Sequence, residues 1–181
     1  MAVVIPEVNP QKVDFEYSSN EIIRLIMEIC QNMVKIAMND DGTLSVDEYG
    51  MDEDTPTLAL KQKMLDSALT DVVDLIHKLG KSTFDGETFD GQYSSATSDK
   101  LIIPIKYVDT FNYASLVSMD KAIQDMIIYG SLIQWFTAVK AADPKVMTEA
   151  EYIKAKRVLV NSLKELYRKI VFKNISEYTL S

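Results

Sequence analysis

The stretch from Ser118 to Lys140, with MDKAIQDMIIYGSLIQWFTAV between its ends, constrains the fold more than any other part of this chain. It is the longest apolar run and carries the only Trp. Met119, Ile123, Met126, Gly130 and Ile133 form one stripe at helical spacing, while Ile128, Leu132, Trp135 and Val139 form another. A helix apolar around so much of its circumference must be packed on several sides. Gly130 costs about 1 kcal/mol relative to alanine in mid-helix, and close approach of a neighbouring helix is the expected compensation. Ser115 or Ser118 is the expected cap, and Asp143–Pro144 the expected end.

The next segment supplies a partner. Thr148 with Glu151 matches a capping box and opens a last helix reaching about Lys169 or Val171. Tyr152, Ala155, Leu159, Leu163, Leu166 and Ile170 keep coiled-coil-like spacing, which predicts antiparallel packing on the preceding helix across a short link. Lys154, Lys156, Arg157, Lys164, Arg168 and Lys169 make its outer face basic. Residues 172–181 then read as an apolar, β-prone tail. Its Phe172, Ile175, Tyr178 and Leu180 are candidate protein-contact residues, because apolar side chains on a terminal tail gain from docking.

Upstream, residues 1–17 read as an extended arm. Pro6 and Pro10 exclude a helix interior, and Val13, Phe15 and Tyr17 alternate with acidic residues as in a strand. Such an arm packs on its own domain or on another chain, and the sequence leaves both open. Ser18 followed by Glu21 fits a capping box worth on the order of 1 kcal/mol. Ile22, Ile23, Ile26, Ile29, Cys30 and Met33 follow at helical spacing. Cys30 within that stripe reads as a small core residue, since no nearby charge would activate a thiolate.

Ala37 to Glu48 contains a partial calcium-loop pattern. Asn39, Asp41, Gly42, Leu44 and Glu48 fall where an EF-hand loop places positions 3, 5, 6, 8 and 12, but Ala37 occupies the position of the first carboxylate. The favoured reading is a hairpin, with VKIAM as one strand, a turn on Asn39–Gly42 and TLSVDEY as the other. Residues 47–54, with five acids and no base, read as a solvated linker. Thr55 and Pro56 open a second helix, which places Leu58, Met64, Leu65, Ala68, Leu69, Val72, Leu75, Ile76 and Leu79 on one face and ends at Gly80. His77, the only histidine, has no second histidine to form a metal pair and reads as a surface or boundary residue.

Residues 81–99 form a polar arm with a tandem TFDG. Phe84, Phe89 and Tyr93 are candidate protein-contact residues there, with plain mobility the open alternative. LIIPIKYV (Leu101 to Val108) reads as a strand that Pro104 confines to an edge. The expected architecture is mostly α: one domain over 1–181, an antiparallel bundle of about four helices with a small β-hairpin or edge strand, and extended N- and C-terminal arms. Its helical body spans 18–171 and carries the polar arm.

The totals narrow the function. The net charge of -8 is uneven: residues 1–139 hold 10 Lys/Arg against 22 Asp/Glu, and residues 140–181 hold 9 against 5. This disfavours general nucleic-acid binding and suits contact between a basic end and an acidic face of another copy. No apolar window approaches the roughly 18 residues a membrane span needs, and the N-terminus lacks the basic region of a signal peptide. One cysteine gives no internal disulfide, so an intracellular setting is expected. Phosphate-cradling glycine loops, metal-spaced His or Cys pairs and nucleophile elbows are all missing, so neither catalysis nor a cofactor is expected.

The order of elements is informative as a whole. A capped first helix, a DG turn with an acidic linker, LALKQKMLDSALTDVVDLIHKL, a polar arm, IIPIKYV and the pair MDKAIQDMIIYGSLIQWFTAV and EAEYIKAKRVLVNSLKELYRKI follow one another. This layout, over roughly residues 18–172, resembles the small head-to-tail connector (neck or adaptor) proteins of tailed bacteriophages, including those of crAss-like phages. The long N-terminal arm and the TFDG insertion depart from that pattern. The resemblance implies a virion protein, assembled in the host cytoplasm, that forms a homo-oligomeric ring, usually of twelve copies. Such a ring sits between the portal and the tail or neck proteins and extends the DNA exit channel, meeting DNA only as it passes through and no membrane. Two other readings remain beside it, a non-viral helical interaction or regulatory module and a degenerate calcium-binding protein.

Overall fold

The apolar run around Trp135 forms a 26-residue helix, α3 (Tyr113–Ala138), in the computed structural model, which describes residues 11–41, 49–52, 54, 56–80, 100–107 and 113–179. Around α3 are arranged β1 (Gln11–Ser18), α1 (Ser19–Asp41), α2 (Leu58–Gly80), β2 (Lys100–Tyr107) and α4 (Ala142–Thr179). Among the described residues, four helices and a two-stranded sheet make the fold mostly α, as the periodicities imply. A single core runs from Phe15 in β1 to Leu166 in α4.

Burial of the middle of α3 on nearly every side follows from its sequence. Met126, Ile127, Ile128, Gly130, Ser131 and Leu132 are all buried within two turns. The Ser131 hydroxyl, the one polar side chain among them, donates back to the Ile127 carbonyl at 2.9 Å. Gly130 has the role its position suggests. A Cβ there would lie 3.1 Å from Ala68 Cβ of α2 and 3.5 Å from the Tyr152 ring of α4, so the missing side chain allows both neighbours to close in.

The boundaries of the helical pair differ from expectation. Ser115 and Ser118 lie inside α3, and the Ser118 hydroxyl donates to Ala114 O one turn back instead of capping. The helix ends earlier than Asp143–Pro144, in a Schellman turn. Lys140 adopts φ 60, its N–H donates to Thr137 O at 3.4 Å, and the Ala141 N–H donates to Phe136 O at 3.0 Å. Asp143 and Pro144 belong to the first turn of α4, where proline has no N–H to lose from the helix ladder; that ladder begins with Lys145 N–H to Ala141 O. Thr148 is therefore no cap. It is fully buried inside α4, its hydroxyl 2.7 Å from Pro144 O and 3.0 Å from Met33 Sδ of α1. The far end differs too: residues 172–179 continue α4 as helix rather than leaving it as a β-prone tail.

α1 opens where Ser18 and Glu21 indicate, with the Glu21 N–H donating to Ser18 Oγ at 3.4 Å. It runs through Asp41, which overturns the first strand and turn start of the expected Val34–Tyr49 hairpin. The cause is burial: Cys30, Met33 and Val34 continue the core-facing stripe of Ile22, Ile23 and Ile26, and tertiary packing outweighs the β-preference of VKIAM. Residues 37–41, the first five positions of the calcium-loop pattern, are helical and cannot wrap an ion as such a loop does. The remaining positions lie outside the described residues.

The linker is not wholly solvated. Met51 is fully buried and its carbonyl accepts from Gln31 Nε2 at 3.1 Å, while Tyr49 O accepts from Trp135 Nε1 at 2.9 Å. The buried Lys61 amine donates to Asp52 O. Thr57 opens α2, its carbonyl accepting from Leu60 and Lys61, two residues after the expected Thr55 cap. Leu58, expected on the buried face, is 58% exposed in the first turn. Met64, Leu65, Ala68, Leu69, Val72 and Ile76 are buried as their spacing requires, and the helix stops at Gly80.

The N-terminal arm packs on its own domain over its described part. β1 pairs antiparallel with β2, with Val13 opposite Ile105, Phe15 opposite Ile103 and Tyr17 opposite Leu101. These residues share one face of the pleat, turned to the core, while Asp14 and Glu16 face out. Pro104 is tolerated opposite Asp14 because a two-stranded sheet consists of edges.

Candidate functional site

Two surface features stand out, and both are built from the elements around α3. The first is a groove of ≈ 420 Å³ between β1 and the first turns of α3. Val13, Phe15, Leu116 and Val117 give it an apolar lining, and Asp14, Glu16 and Asp120 give it three carboxylates. Val117 is 52% exposed although it is a large aliphatic residue. The wall is held by Tyr17, whose phenol donates to Asp120 Oδ1 at 2.7 Å and lies 3.1 Å from Asp120 O. Burial, helped by that carboxylate, raises the Tyr17 phenol above its ordinary range, so Tyr17 stays a neutral donor.

The second feature is the outer face of α4. The inner face buries Thr148, Ala155, Leu159, Leu163 and Leu166. On the opposite side Val146, Ile153, Arg157 and Lys164 fall along one line at helical spacing, with Val146 63% and Ile153 54% exposed. Lys154, beside that line, pairs with Glu151, and Lys156 lies 6.0 Å from the centroid of the Tyr152 ring. The basic outer face expected for this helix is present at Lys154, Lys156, Arg157 and Lys164, all exposed.

Between α3 and α4 lies a smaller acidic cluster. Burial raises the Asp125 carboxyl, Lys121 lowers it and Glu151 raises it further. The same two carboxylates, after burial, raise Tyr129.

Cys30 is fully buried, its sulfur 3.8 Å from Tyr49 O. Burial pushes its thiol up to about 12, against the lowering effect of hydrogen bonds with Met51 and Trp135, so it stays protonated at neutral pH. His77 is exposed at the last turn of α2. Among the described residues no group of three or more His, Cys, Asp or Glu side chains is arranged to hold a metal ion, and no helix is long and apolar enough to cross a membrane.

Of the seven contact residues expected from sequence, Phe84, Phe89, Tyr93 and Leu180 lie outside the described residues. Phe172, Ile175 and Tyr178 have helical backbone in α4, with side chains outside the described set. The groove went unread because its two walls are about a hundred residues apart in the chain, and only the Tyr17–Asp120 bond reveals that they meet. The α4 stripe was legible in part, as a run of bases whose apolar companions Val146 and Ile153 were overlooked. No protein-family model, curated protein or solved structure matches this chain.

Proposed function

We propose that this chain is a non-catalytic assembly protein of a virion, a head-to-tail connector of the tailed-bacteriophage kind. In that role, copies form a ring between the portal and the tail proteins and line part of the DNA exit channel. The observation that carries the reading is the division of α4, with one face sealed into the core and the other presenting aliphatic and basic residues in line. Val146 and Ile153, aligned with Arg157 and Lys164 on the face turned away from the core, support its use as a contact surface. Many copies of a weak contact add up once a ring closes.

The test is co-assembly with the portal protein encoded in the same genome, read by native mass spectrometry. A ring of this chain on the portal is the expected result. Failure to bind assembled portal, or a genome with no portal gene, overturns the connector reading in favour of a non-viral interaction module.

A further inference from the structure

We infer that the outer face of α4 docks into the β1–α3 groove of a second copy of this chain. The two surfaces are opposite in charge, and each has an apolar part. The groove is concave, apolar inside and lined by Asp14, Glu16 and Asp120. The α4 stripe is convex, with Val146 and Ile153 as its aliphatic residues and Arg157 and Lys164 as its cations. A helix that lays an apolar line into a groove while cations meet carboxylates at the rim is a common mode of recognition. Burying the exposed Val117 against Ile153 removes apolar surface from water on both sides.

A chain cannot satisfy this contact by itself. The stripe points away from α3, because the opposite face of α4 is the one packed on α3, and the groove is made partly from α3. The occupant is therefore another molecule. The chain supplies both halves of the match, with a basic balance after residue 139 and an acidic one before it. Because the two surfaces are different, the contact is heterologous and each bound copy still offers one free groove and one free helix face. Such a contact propagates, closing into a ring if its rotation permits. The inference deepens the assembly reading above and rests on it only in requiring that copies associate.

Sedimentation velocity on the full chain, at rising concentration and at about 50 mM and about 500 mM salt, tests it. The expected result is association that weakens with salt, since exposed charges are screened. Asp14→Lys with Glu16→Lys, and separately Arg157→Glu with Lys164→Glu, should each weaken association about tenfold or more, and mixing the two variants should restore it, the intact helix face of one meeting the intact groove of the other and the exchanged charges pairing at the next contact. Circular dichroism on each variant verifies that the fold is kept, and the restored mixture excludes misfolding as the cause. Wild-type protein that stays monomeric at low salt overturns this contact and leaves the connector reading to the portal experiment. Association that ignores both reversals also overturns it, while supporting assembly through other surfaces.

Discussion

α3 and α4 are neighbours in sequence and fold back on each other across Val139–Ala141, yet they divide their surfaces in opposite ways. Past its first turns, which line the groove, α3 is buried around most of its circumference and touches α1, α2 and α4, so its middle serves the core. α4 gives one face to that core and turns Val146, Ile153, Arg157 and Lys164 outward. The difference separates what holds this fold together from what it leaves at the surface. Long apolar runs mark the first; apolar residues interleaved with cations mark the second.

Core truncation should break the comparison most sharply. Phe136→Ala in α3 removes a fully buried ring beside the Schellman turn and should cost about 3–5 kcal/mol in urea unfolding, whereas Ile153→Ala on α4 should fall within about 0.5 kcal/mol of wild type. Equal losses would mean that the outer face of α4 is also core.

Gly130→Val comes next. The added atoms meet Ala68 and Tyr152 and should cost about 1–3 kcal/mol by overpacking, while Gly130→Ala should be nearly neutral, its helix-propensity gain offset by the 3.1 Å approach to Ala68. A marked gain from Gly130→Ala would show that α2 and α3 pack less closely than the geometry requires. Trp135→Phe keeps most of the apolar contact but leaves the Tyr49 carbonyl without its indole donor. It should cost about 1–3 kcal/mol, and Tyr49 should become more accessible to modification.

The effect of pH has a definite sign. The folded Cys30 thiol titrates at about 12 against 9.0 for a free thiol, and the Tyr17 phenol is raised as well. In both cases the folded state holds its proton more tightly than the unfolded state. Their stability contributions are present below pH 9 and are lost as pH rises from about 9 towards 12 for Cys30, and above about 10 for Tyr17. Denaturant midpoints taken from pH 8 to pH 11 should fall, and Cys30→Ala should fall less steeply even though its cavity lowers the starting value. A parallel decline in the variant would remove the thiol from the account.

The smallest expected effect is at the link itself. Lys140 sits at φ 60, where glycine is preferred, so Lys140→Gly should raise stability by about 0.5–1 kcal/mol in thermal unfolding.

What could be read from the residues divides along similar lines. The existence and type of every described helix followed from periodicity, because Met64 to Ile76 and Tyr152 to Leu166 repeat their apolar residues at helical spacing. Boundaries did not follow. Ser118 and Thr148 look like caps, but each hydroxyl closes on a carbonyl one turn back and the helix runs through it. Asp143–Pro144 reads as a stop and is a start, since proline in a first turn and proline after a last turn leave the same local signal. Val34–Met38 has strand-forming residues but lies in α1, because Val34 is needed by the core. The groove required a contact over 103 residues, between Tyr17 and Asp120, which no local pattern contains.

The central proposal, that the outer face of α4 serves contact with a second copy and not the stability of the fold, is tested most directly by Ile153→Glu, measured for both thermal unfolding and sedimentation. The account predicts a Tm within about 2 °C of wild type together with loss of association. A variant that unfolds well below wild type, or one that keeps both its Tm and its association, would contradict it.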